Sequence, residues 1–168
     1  WSRLKKGAHP DGDKPVAQVL VDASTAALAK NDAPMAVEFA EKARKLDPAS
    51  TDACFAAAAA LVALDQRGAA EDAMDAAVAL APKDGEVLFK RAAFALEEAE
   101  FEKARDLFRR VPRGHPREAA AKAGLQRAQD ELDTRARALD ETVEYERSLE
   151  GKVARATRDV AGLRGRGT

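Results

Sequence analysis

The segment Ala70-Glu71-Asp72-Ala73-Met74-Asp75-Ala76-Ala77-Val78-Ala79-Leu80-Ala81-Pro82 decides the fold of this chain. It spaces its apolar residues as a helix does and stops at a proline. Proline has no backbone N–H to donate and pushes its predecessor out of helical geometry, so the helix ends there and the chain turns. The same frame recurs 34 residues away on either side, with Ala36 twelve before Pro48 and Ala104 twelve before Pro116. A self-similarity of that period is the mark of a solenoid built from helix pairs.

Three blocks therefore align without gaps, 17–50, 51–84 and 85–118. Each holds two helical patterns separated by a polar break: Asn31-Asp32, Gln66-Arg67-Gly68 and 98–100. In the third block Pro112 falls inside the expected last turn, so that helix should end near Arg110 and run into a positively charged loop.

Composition agrees with an all-α chain. Of 168 residues 40 are alanine, the best helix former and a poor strand residue, while aromatics make up 5%. The 28 basic and 29 acidic residues leave a net charge of −1, which removes the positive field expected of a general nucleic-acid binder. The longest apolar run, 53–64, is too short to span a bilayer. One cysteine, Cys54, can form neither an intramolecular disulfide nor a multi-thiolate metal site. A disulfide-framed secreted protein is excluded, and the cytoplasm is slightly favoured over the periplasm. The chain begins at Trp1 rather than methionine, as expected if a leader was removed or if it is a piece of something longer.

The second helix of each block resembles that of the tetratricopeptide repeat: alanine, a bulky apolar residue four on, and proline eight further. Ala104, Phe108 and Pro116 match in full, Ala70, Met74 and Pro82 match well, and Ala36, Ala40 and Pro48 match less closely. The family keeps a small residue where two helix backbones nearly touch, and Ser24, Ala58 and Ala92 hold those places. The resemblance implies a right-handed α-α superhelix whose first helices line a concave groove. It assigns groove positions to Val21, Thr25 and Leu28, to Phe55, Ala59 and Val62, and to Phe89, Ala93 and Leu96. Family members that hold chaperone C-terminal tails clamp the carboxylate with lysine, asparagine and arginine. The matching places here carry Val21, Thr25, Ala56 and Glu86, with Lys90 alone basic, so that clamp is absent.

Beyond Pro116 the pattern lengthens. Residues 119–163 contain no proline and read as a capping helix running into one or two long helices, with a break possible at Gly151. Leu125, Leu132, Leu139 and Val153 follow a seven-residue spacing, with Leu149 and Ala156 on the companion seam. Arg135, Thr142 and Glu146 interrupt it, so a long autonomous dimer is marginal and a helix that caps the last repeat and then projects is expected. Residues 1–15 read as a linker and 164–168 as a disordered tail.

No catalytic constellation stands out. His9 and His115 lie far apart, no glycine-rich phosphate loop occurs, and carboxylate pairs such as Glu71-Asp72 and Glu97-Glu98 lie on helix faces without a histidine. Neither a metal nor a cofactor is expected, and Cys54 is expected to be a packed thiol. A second candidate surface is basic, formed by Arg105, Arg109, Arg110, Arg113 and Arg117, although arginines at a helix C-terminus also complement its dipole. The middle block is acidic, which raises the possibility of head-to-tail contacts between copies. The expected function is a non-enzymatic scaffold binding a peptide or amphipathic helix of another protein, without nucleic acid or membrane insertion. The alternatives are self-association through the heptad helix and a regulatory domain of a larger signalling enzyme.

Overall fold

A computed structural model describes residues 13–164, with side chains from 15 to 159, and these form seven helices. The pairs are α1 (Asp13–Ala29) with α2 (Ala33–Leu46), α3 (Thr51–Ala63) with α4 (Arg67–Leu80), and α5 (Gly85–Glu97) with α6 (Phe101–Arg110). A single helix, α7 (Glu118–Arg164), follows. His9 and the rest of the leader before Asp13, and the tail after Arg164, lie outside the described residues. The leader read as 1–15 is shorter than expected. Pro15 stands at the third helical position, where a backbone N–H has no intrahelical partner to lose.

The turn inside each pair repeats with the same period as the prolines. Asn31, Asp65 and Ala99 adopt the left-handed conformation, with φ of 59°, 58° and 59°. Behind each, the next amide reaches back five residues to close the helix end: Asp32 to Ala27 (2.9 Å), Gln66 to Leu61 (2.9 Å) and Glu100 to Ala95 (2.8 Å). The second break thus falls at 64–66, slightly earlier than Gly68 suggested, and Gly68 sits in open space in the first turn of α4. Between pairs the helix-ending amides of Asp47 and Ala81 bond to Ala43 and Ala77, and Pro48 and Pro82 stop the chain there. Ser50 caps α3 by accepting from the amide of Ala53, and Asp84 caps α5 by accepting from Glu86 and Val87. As expected from Pro112, α6 stops at Arg110.

Small residues let the paired helices close up. Ser24, Ala58 and Ala92 on the first helices and Ala36, Ala70 and Ala104 on the second are all fully buried. The Ser24 hydroxyl donates to the carbonyl of Ala36 at 2.8 Å, so its polar atom is satisfied where no water reaches.

Two main core clusters result. One gathers Val21, Ala40, Ala57, Ala58, Ala73 and Phe94, and the other gathers Leu88, Ala92, Leu107, Phe108, Ala121 and Ala128. The second joins α7 to the last pair. Gly124 lets the helices close there, because a Cβ on it would run into the Phe108 ring. Arg135, read above as an interruption of the heptad seam, is instead an anchor. Its guanidinium lies 4.3 Å from the centre of the Phe101 ring at the start of α6. Beyond it α7 continues through Gly151 without a break and leaves the solenoid, with Leu139 and Val153 64% and 65% exposed.

Candidate functional site

The groove residues do not behave as one set. Val21, Thr25, Leu28, Phe55 and Ala59 line one depression of about 430 Å³ between α1 and α3. Its apolar floor has gaps where Thr25 and Ala59 are small and exposed, and Gln18 and Asp52 stand at the rim. Lys90 reaches over from α5, its ammonium 4.7 Å from the centre of the Phe55 ring. Such a surface offers a large aromatic face, branched aliphatic side walls and one cation, without a second basic group to hold a carboxylate.

The other groove positions are half-buried. Val62 lies half-buried against the first core cluster, and Ala93 is half-buried. Phe89 and Leu96 pack against the second cluster, the one that binds α7. The Phe89 ring meets Phe108 edge to face at a centroid distance of 5.8 Å, and the Arg117 guanidinium covers its other side at 5.3 Å. Phe89 and Leu96 are thus half-buried at the joint with the helix that follows the third pair.

The basic surface is likewise divided. Arg105 pairs with Asp106 at 3.0 Å, and Arg110 donates to the carbonyl of Pro82 at 3.1 Å. Arg117 forks onto both oxygens of Glu86 at 3.0 and 3.2 Å. That bond, set against the cost of burial, holds the Glu86 carboxyl below its ordinary range. Arg109 and Arg113 line a separate depression between α6 and α7 beside Lys122 and Glu118. Of the acidic residues of the middle block, Asp84 caps a helix, Asp65 meets Arg67, and Glu71 and Asp75 bond to one buried cation.

Their inward partner is Arg91, which is fully buried. Its guanidinium donates to Asp75 (2.6 Å), Glu71 (2.9 Å) and Glu100 (3.4 Å), and Lys103 closes the ring onto Glu71 and Glu100. Burial works against the charge, but the three carboxylates outweigh it and raise the proton affinity of Arg91. The bond from Lys103, opposed by burial, holds Glu71 below its ordinary range. The signal was present in the sequence: blocks one and two carry Ala23 and Ala57 where block three carries Arg91.

Cys54 is buried beside Ala77 and Val87, and burial pushes its thiol up, away from the reactive thiolate. The ring of His115 lies against Gly85, and its Nδ1 accepts from the amide of Arg117. Among the described residues no group of three His, Cys, Asp or Glu side chains comes together to hold a metal, and no helix is long and apolar enough to cross a membrane.

No family model matches the sequence, and no curated protein matches it. Solved structures do match the fold. The first tetratricopeptide-repeat domain of Spaghetti (RPAP3), bound to the HSP90 peptide SRMEEVD, is 22% identical with a TM-score of 0.62, covering 71% of this chain and 98% of that one. The Sgt2 tetratricopeptide-repeat domain of Aspergillus fumigatus is 20% identical with a TM-score of 0.62, covering 73% and 83%. PilF of Pseudomonas aeruginosa is 19% identical with a TM-score of 0.66, covering 74% of this chain and 57% of that one. At such identities the likeness establishes the fold, a right-handed solenoid of tetratricopeptide type.

Proposed function

We propose that this tetratricopeptide-type solenoid is a non-enzymatic protein-interaction module, and that the depression between α1 and α3 receives an apolar side chain from a partner's helix or peptide. The observation that carries this is Phe55. Its ring is half-exposed on a floor of Val21 and Leu28, beside the small residues Thr25 and Ala59. A helix with anchors three and four residues apart can place one into that gap and the next along α1. Solved structures of the same fold include one with an HSP90 peptide bound and one described as a complex with Hsp70, which supports peptide binding as the general mode. The chaperone-tail specificity does not carry over, because Val21, Thr25, Ala56 and Glu86 offer no cationic clamp.

The test is capture from the native lysate by the intact chain, by Phe55→Ala and by Ala59→Trp, which fills the gap. Both variants should lose the bound proteins about tenfold while circular dichroism stays that of the parent, a loss of about 1.4 kcal/mol or more. Equal capture by all three chains sinks the assignment.

A further inference from the structure

We propose that the projecting half of α7 pairs with the same segment of a second copy of this chain, antiparallel and centred near Gly151. The inference goes beyond the groove and does not depend on it. From about residue 136 onward α7 touches no other element among the described residues, yet it exposes an apolar stripe. Leu139 is 64% exposed, Leu149 41% and Val153 65%. A lone helix of nearly thirty residues in water is held only by its own propensity, and Gly151 lowers that further.

The charges identify what covers the stripe. Residues 140–150 hold five acidic side chains and one basic, whereas 151–164 hold four basic and one acidic. Within the helix this segregation is unfavourable. Asp140 and Glu144, and Glu146 and Glu150, are like charges one turn apart. Among the described residues no ion pair joins any two charges beyond Lys122 on this helix. The helix dipole favours acid early and base late, but its effect fades within the first and last turns, and Asp140 stands more than twenty residues from Glu118.

A parallel partner would set acidic block against acidic block. An antiparallel partner sets each block against its opposite, over the whole length, and places Leu149 of one copy across from Val153 of the other. The same register puts Glu146 across from Ala156, so the seam is short of apolar layers and the association is weak. Dimers should form at protein concentrations on the order of 100 µM rather than at low micromolar.

Light scattering on the full chain at that concentration should give about twice 18.0 kDa, falling toward 18.0 kDa as salt is raised. Changing Glu144, Glu146 and Glu150 to lysine should return the chain to monomer. Adding Lys152→Glu, Arg155→Glu and Arg158→Glu to that variant should restore the dimer, because the two blocks are then exchanged rather than lost. Orientation is read with a spin label at Arg137→Cys in a Cys54→Ser background. Fourteen residues from the centre at 1.5 Å each put the two labels about 40 Å apart in the antiparallel pair. A monomer at the highest concentration, a dimer indifferent to charge reversal, or labels within about 15 Å of each other would each overturn the proposal.

Discussion

Three left-handed residues at the same place in each pair, Asn31, Asp65 and Ala99, show how closely the repeat is followed and where one copy is strained. Asparagine and aspartate tolerate positive φ because their short polar side chains bond locally, whereas alanine sets its Cβ against the following carbonyl. The turn at Ala99 nonetheless closes with the same backbone bonds, since the adjoining helices over-determine it. Ala99→Gly should therefore raise stability by about 0.5–1 kcal/mol and the melting temperature by about 1–4 °C. The same change at an interior helical alanine such as Ala92 should lower both. Thermal unfolding of the two variants separates them, and a loss at both positions would remove strain as the explanation.

At the scale of an element, α7 is two things in one helix. Its first part packs as another repeat helix would, through Ala121, Leu125 and Ala128, and Arg135 marks the end of that contact. Gly124 is the close point. In an ordinary helix Gly→Ala gains about 1 kcal/mol, but here the added carbon would meet the rim of the Phe108 ring, itself buried and braced by Phe89. Gly124→Ala should thus cost about 1–3 kcal/mol by overpacking and loosen α7 from α6, with Phe108→Leu in the same chain recovering part of it. Hydrogen exchange should show the loss first at 118–135. If Gly124→Ala is as stable as the parent, the docking of α7 does not depend on that contact.

The whole molecule consists of a tight half and a second half joined to it by side chains rather than by close backbones. Alanine lets α1, α2 and α3 approach one another, whereas α4 and α5 are bridged by Phe94, Val78 and the buried Arg91. Removing Arg91 leaves Glu71, Asp75 and Glu100 facing one another, although each is exposed enough to be rehydrated. Arg91→Ala should cost about 2–3 kcal/mol in urea unfolding, less than for a wholly enclosed ion pair. The network also contributes to the acid response, alongside Glu86 and Glu118, whose carboxyls are held below their ordinary range by Arg117 and Lys122. Glu71 titrates below its ordinary 4.5 when folded, so its contribution is full above that value and is lost as pH falls through the lower folded one. The melting temperature should fall as pH drops below about 4.5, and Glu71→Gln should make that fall shallower. An unchanged slope would show that other carboxylates carry it.

The 34-residue frame, the stops at Pro48 and Pro82 and the early stop before Pro112 were legible in the sequence, and the small residues at Ser24, Ala58 and Ala92 came with the family resemblance. The stops follow from local chemistry, since proline has no N–H to continue a helix. The division of the candidate site was not legible. Val21, Thr25, Leu28, Phe55 and Ala59 line an open depression, while Phe89 and Leu96 are half-buried against the cluster that joins the last pair to α7. Periodicity assigns both sets the same face; only the tertiary fold shows which of them another element packs against. The same holds for Arg91 and Arg135, whose charge marks a surface residue by composition. Three carboxylates from α4 and the start of α6 bury the first, and the ring of Phe101 turns the second into an anchor, partners that only the tertiary fold brings within reach.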